Sequence, residues 1–420
     1  MYQIGNLRQV IRLRPASGTR WPARNVILLG LTSMFTDVSS EMVNAVLPIY
    51  LVATLGLAPF AFGLIDGIYQ GGSVLVRPVS GFLADRTRSP KLVATSGYAL
   101  SAITRPLLLV AQGATALTGL IIVDRIGKGI RTAPRDALIS LSSTADELGM
   151  AFGVHRALDT LGAMVGPLLA FVILLAIPGA FDVVFVVSFG VALIGLAVIG
   201  LFVRDVPADT ATAAAATGRA KVTVREALGL LGTPEFRTVV VVGSGLALLT
   251  ISDAFIYLIL QRRFDFGIQF FPLLFVGTAL AYMILAVPFG RLADRFGRGR
   301  VFVAGYVVLA LVYASLLLPV LGPLQVVVSV ALLGAYYAMT DGVLAALASG
   351  ILPAPVRGTG LGVLASATNL MRLFASVLFG LAWTLWDVSG AIAIFLIGLL
   401  IATVVGGGLV ARDVRGRSRA

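Results

Sequence analysis

No cysteine occurs in the 420 residues. Disulfides and thiolate metal sites are therefore excluded, and redox chemistry gives no clue to the compartment. Histidine occurs once, as His155; one histidine amid carboxylates is weak evidence for a metal site, and it suits either proton transfer near neutrality or a structural pairing with Asp159. Charge is scarce as well. Charged residues make up 12% of the chain, against about 25% in a soluble domain. With 58% hydrophobic residues, such a chain cannot cover a water-facing surface with polar groups. A nucleophile–base set is missing, and so is a phosphate-binding loop. The glycine- and lysine-containing stretch Asp124–Asp136 lacks the G-x-x-x-x-G-K-[S/T] spacing and a preceding strand. Enzymatic chemistry has no residues to carry it, and neither a metal nor a cofactor is expected.

What the chain does have is apolar runs. Crossing the hydrocarbon core takes roughly 20 apolar residues. Runs of that size fall at 26–52, 60–84, 91–111, 115–136, 148–176 and 181–203, then at 236–261, 269–292, 300–319, 323–349, 358–384 and 389–411. The sequence therefore predicts an all-α integral membrane protein of twelve transmembrane helices in two six-helix bundles, 26–203 and 236–411. A basic tail, 1–25, precedes them, a polar linker, 204–235, joins them, and a charged tail, 412–420, follows. The first apolar run is too long for a cleaved signal, and it contains Asp37 and Glu41.

A net charge of +12 would point a soluble protein toward nucleic acid. Here position matters more than sum. Lys and Arg occupy both tails, the linker and the loops at 85–91, 131–147 and 291–300. Five of the six opposite loops have none, and Arg262-Arg263 is the exception. By the positive-inside rule both termini are cytoplasmic, in a multi-pass protein of the cell (inner) membrane. The expected partners are the lipid bilayer and a small-molecule substrate, with no nucleic acid, and the expected state is monomeric.

The informative residues are charges inside the apolar spans. Each costs at least about 2.5–3.5 kcal/mol at mid-membrane, so such groups are paired, wet or functional. Asp37 and Glu41 lie i, i+4 on one face of the first span. Asp37 is about 16 Å into that helix, near the midplane. His155, Arg156 and Asp159 can share a face of the fifth span. Arg105, Arg125, Asp253, Asp341, Asn369 and Arg372 complete the set. Two readings stay open: a static ion-pair network, or one that binds substrate and moves a proton. Tyr257, Tyr336 and Tyr337 either line the second half or pack within it.

One short motif occurs twice, about half the chain apart. Gly81-Phe-Leu-Ala-Asp85-Arg86 leads to Lys91, and Gly290-Arg-Leu-Ala-Asp294-Arg295 leads through Gly297 and Arg298 to Arg300. A charged loop repeated at half the chain length marks an internal duplication. The pattern resembles the loop between the second and third helices of each half in the major facilitator superfamily. The first copy departs from it, with Arg88 and Ser89 where the second has Gly297 and Arg298. Arg125 and Gly129 resemble the R-x-x-x-G element that this family links to proton movement. Gly153, Gly162, Gly166 and Pro167 resemble its fifth-helix antiporter motif, with Ala170 and Phe171 replacing the closing glycine pair. The likeness implies alternating access, with Asp85 contacting Arg357 and Gly358 to latch the cytoplasmic side. It also implies a permease that couples efflux of a small organic molecule to protons. Uptake by symport or facilitation is the alternative. Metal or siderophore export and a non-transporting receptor stand behind both.

Overall fold

Lipid offers the backbone no hydrogen-bond partners, so an apolar stretch that crosses it satisfies its own N–H and C=O groups as a helix. The computed structural model describes residues 22–74, 76, 89–111, 113–144, 147–205, 229–320, 322–353 and 356–417, with side chains to Leu409. Among them every regular element is helical. The first half is built from Arg24–Ile49, Pro59–Gly71, Pro90–Val110, Gly113–Leu141, Leu148–Ala176 and Phe181–Ala197. In the second half come Pro234–Leu248 with Asp253–Phe264, then Phe271–Phe296, Arg298–Leu317, Pro323–Ile351 and Arg357–Arg417.

The last of these is two spans. It breaks at Asp387, whose φ is 74°, and the Asp387 carboxylate accepts a hydrogen bond from the Gly390 N–H at 2.7 Å to start the twelfth span. Gly243 faces Thr368 on one limb, while Val242 faces Gly406 on the other. The limbs are therefore antiparallel. Nine helices among the described residues are long and apolar enough to cross a bilayer, with Arg357–Leu409 counted once. Separating its limbs, and adding the second span and the charge-bearing fourth, gives twelve.

The seventh span differs from its expected unbroken run of 236–261. It stops at Leu248 and restarts at Asp253. Tyr313 makes the gap tolerable: its hydroxyl accepts from the Ile251 N–H at 2.6 Å and donates to the Leu249 carbonyl at 3.1 Å. Ser252 then caps the new helix by accepting from the Phe255 N–H. The exceptional arginine pair also has a local use. Arg263 donates to the carbonyls of Leu316 and Leu318 at the end of the ninth span, which satisfies groups a helix end leaves open.

Within the first half, the first span packs on the fifth and sixth, and the third on the fourth. Between halves, the second span packs on the eleventh, and the fifth on the eighth. Among the described residues the halves are in close contact where the second span begins. Gly63 meets the Ser376 carbonyl and the Gly380 Cα, and Phe62, Phe255 and Phe379 stack edge to face with centroids 4.8 Å apart. Phe171 and Phe270 meet at the same end, 6.1 Å between centroids. We call this the sealed end. The 291–300 loop lies at the other.

Candidate functional site

The first half places its charges by glycine packing. A Cβ at Gly97 would lie 2.8 Å from the Gly127 carbonyl, so the third and fourth spans touch at their backbones. That contact sets Arg105 opposite Asp124. Arg105 pairs with Asp124 at 3.0 Å and donates to Ser40 at 3.0 Å. Arg125 closes on the same carboxylate and stacks over Tyr69 with its guanidinium carbon 3.8 Å from the ring centroid. All three charged groups are at most 4% exposed. Asp124 is the centre of this buried charge cluster, yet in the sequence its place beside Arg125 and Lys128 reads only as part of a motif.

A second glycine seam brings the fifth span onto the first. Gly162 faces the Met34 backbone, and Gly166 faces the backbones of Val38 and Met42. With no side chain between them, the carboxyl groups of Asp37 and Asp159 come within hydrogen-bonding reach of each other. Arg131 lies 3.8 Å from Asp37 and Arg156 lies 3.6 Å from Asp159. Lys128 is close enough to Asp37 and Glu41 to interact with both. Glu41, which shares a helix face with Asp37, accepts from its own neighbour Asn44 at 2.8 Å. The crowding partner comes from another helix.

His155 is buried and its Nε2 lies 3.0 Å from the Ser33 hydroxyl. Ser33 also meets Tyr98 at 3.2 Å and accepts from Arg135 at 3.3 Å. No sequence signal marks Ser33 as this hub. Of the fifth-span glycines, Gly153 makes no close approach: a Cβ there would meet nothing within 4 Å. The packing expected of it is absent, because it faces away from the first span. Pro167 is buried inside the helix beside Gly166.

In the second half, Asp253 opens the restarted seventh helix and accepts from the Tyr337 hydroxyl at 2.5 Å. Asp341 and Arg372 pair at 3.5 Å. They line a cavity of about 100 Å³ with Tyr306, Thr340, Thr368 and Asn369. Tyr257 is a packing residue, its hydroxyl donating to Thr278 at 2.6 Å. Tyr336 is buried against Tyr306 and Tyr337.

The second loop motif is tightly turned. Gly297 has φ 99°, a backbone conformation that favours glycine. Arg298 bonds Asp294 at 3.0 Å and the Ala346 carbonyl at 2.9 Å. That ties the eighth, ninth and tenth spans together at this end. Gly290 has open space around it, Asp294 and Arg295 are exposed, and Arg357 is exposed at the start of the eleventh span. Gly81, Asp85 and Arg86 lie outside the described residues, and with them the expected contact of Asp85 with Arg357 and Gly358.

Sequence reading also passes over Asp66, which is buried in the second span and accepts from Ser376 of the other half at 2.6 Å. Its one signal is an acid set between Gly63 and Gly67. Among the described residues no group of three or more His, Asp or Glu side chains is arranged to hold a metal.

Comparison with known proteins agrees with this architecture. The family model described as Major Facilitator Superfamily matches residues 29–277 and 239–420. An uncharacterized MFS-type transporter of Methanocaldococcus jannaschii is 30% identical over 395 residues, covering 91% of this chain and 94% of that protein. Among solved structures, the nucleoside transporter NupG superposes with a TM-score of 0.73 at 14% identity, over 92% of this chain and 98% of that one. The peptide transporter POT in complex with sulfate gives 0.72 at 18% identity, over 94% and 95%.

Proposed function

Because this chain belongs to the major facilitator superfamily and is a membrane transporter rather than an enzyme, we propose that it couples proton movement to efflux of a small organic molecule. The observation that carries this reading is the facing pair Asp37 and Asp159. Two carboxyl groups that close favour sharing one proton over ionising together. Each sits on a different helix of the first half. A small movement between those helices changes the separation, and with it the cost of the second charge. Arg131, Arg156 and Lys128 surround the pair and offer compensating charge when the proton leaves. Protonation then biases the two arrangements of the halves.

Efflux is favoured over uptake by the Gly162, Gly166 and Pro167 seam, which resembles the antiporter motif and itself sets the carboxyl spacing. The substrate moves between the halves, in contact with Asp341, Asn369 and Arg372 on one side and Glu41 and Lys128 on the other. In this reading the loops bearing Lys and Arg, including 291–300, face the cytoplasm.

The test is a stabilisation screen to find a ligand, followed by flux of that ligand in inverted vesicles under an imposed pH gradient. Asp37→Asn mimics a permanently protonated pair. It should abolish uphill flux while leaving binding, and His155→Gln should retain uphill flux. Undiminished uphill transport by Asp37→Asn would refute coupling through this pair. Accumulation driven in the opposite direction would turn efflux into symport.

A further inference from the structure

The second and eleventh spans belong to different halves, yet they touch at their backbones. A Cβ at Gly67 would lie 2.7 Å from the Leu373 carbonyl, and one at Gly71 would lie 3.0 Å from the Asn369 carbonyl. Asp66 sits inside this seam, about 10 Å from the start of its helix and only 6% exposed. On the side of the sealed end it is shielded by Phe62, Phe255 and Phe379.

The partners of Asp66 are neutral. Ser376 of the eleventh span donates to it at 2.6 Å. Ser252, at the break in the seventh span, and Gln70, one turn along its own helix, are within hydrogen-bonding reach. No cation among the described residues pairs with it. Among the described residues the charged groups around the seam are Asp253 at the seventh-span break, Asp341 of the tenth span, Arg372 of the eleventh and, from the fourth span packed on the second, Arg125, which lies against Gly72 and Tyr69 and is paired with Asp124. Tyr337 of the tenth span is committed to Asp253. Arg372 already pairs with Asp341 and Arg125 with Asp124, so neither guanidinium is committed to Asp66. A buried charge without a partner is expensive enough that the group changes its protonation instead. A neutral carboxyl group can both donate and accept within the seam. A carboxylate there repels Asp253 and gains from water, which enters only when the halves separate.

We propose that Asp66 is a proton-binding latch between the two halves. With its proton bound it holds the sealed end shut through Ser376, and loss of the proton favours opening. This latch rests on the alternating movement of the halves but not on the Asp37–Asp159 coupling or on the direction of transport.

The chain has no native cysteine, so Ala58→Cys and Ser389→Cys, both at the sealed end and at least partly exposed, give a unique spin-label pair in the full-length protein in lipid. The wild-type distance should lengthen in a growing fraction of molecules as pH rises. Asp66→Asn should stay at the short distance at every pH. Asp66→Glu should keep the pH response with a displaced midpoint, which guards against an asparagine variant that fails to fold. Ser376→Ala should shift the population toward the long distance by about threefold to tenfold at every pH, the worth of one net hydrogen bond.

A wild-type pH response in Asp66→Asn overturns the latch. So does a distance that follows sodium concentration at constant pH, since the seam would then hold a cation. A wild-type distance that never changes overturns both the latch and alternating movement. Asp37→Asn should keep this pH response even where it loses uphill flux, so the two proposals fail separately.

Discussion

One methyl group at Gly166 tests whether the fifth-span glycines pack or merely resemble a motif. A Cβ at that position would lie 2.7 Å from the Val38 carbonyl oxygen, 2.9 Å from the Met42 nitrogen and 3.0 Å from the Glu41 Cβ. Two of these atoms are backbone on the first span, so no flexible side-chain end can yield. Forced overpacking of this kind costs about 1–3 kcal/mol. Alanine also gains up to about 1 kcal/mol over glycine through helix propensity. Gly153→Ala receives that gain alone, since a Cβ there meets nothing within 4 Å. The propensity contribution cancels in the comparison of the two variants. Gly166→Ala should therefore be less stable than Gly153→Ala by about 1–3 kcal/mol, roughly fivefold to 150-fold in the unfolding equilibrium. Reversible denaturant unfolding in mixed micelles reads this difference. Superimposable unfolding curves for the two variants would show that the first and fifth spans are not in backbone contact.

Other substitutions probe other parts of the molecule. Asp124→Asn leaves Arg105 and Arg125 buried together and should cost about 3–5 kcal/mol, read in the same unfolding assay; a smaller loss on combining it with Arg105→Gln is expected. Tyr313→Phe removes both hydrogen bonds that span the seventh-helix break. It should cost about 1–3 kcal/mol and speed amide exchange at Ile251, and unchanged exchange there would argue that water already satisfies the gap. For orientation, Ser89→Cys and Arg300→Cys, both at least partly exposed, should resist an impermeant thiol reagent in intact cells and react in opened ones. Labelling of either from outside would reverse the assignment.

The twelve helices are legible because each crossing needs its own apolar run, and a run is a local property. The seventh-span break is not, because hydropathy does not register it. Leu249, Thr250, Ile251 and Ser252 contain neither glycine nor proline. The one local sign is Ser252 followed by Asp253, a cap with an acid in the first turn. Candidate charges are legible as a set, since any ionisable residue in lipid stands out, but their pairing is not. Helical spacing joins Asp37 to Glu41, while the glycine seam joins Asp37 to Asp159. Gly153 fits the motif spacing as well as Gly162 does, yet it turns to the other face.

Compensation sorts the intramembrane acids better than their depth does. Asp124 faces two guanidinium groups that touch it directly, so its charge is more than balanced and it has little reason to bind a proton. Asp341 pairs directly with Arg372. Asp37 and Asp159 have a longer-range arginine each and also one another, the near-balance on which the proposed coupling rests. Among the described residues Asp66 has only hydroxyl and amide partners and therefore depends most on whether its seam is dry. On the two proposals above, the same side-chain type carries three tasks in one bundle: an acid locked by two arginines shapes the first half, a shared proton between facing acids responds to movement inside that half, and a lone acid between the halves responds to their separation. Assigning these tasks requires knowing which cations reach each carboxyl group, and that depends on helix contacts up to 310 residues apart in the chain.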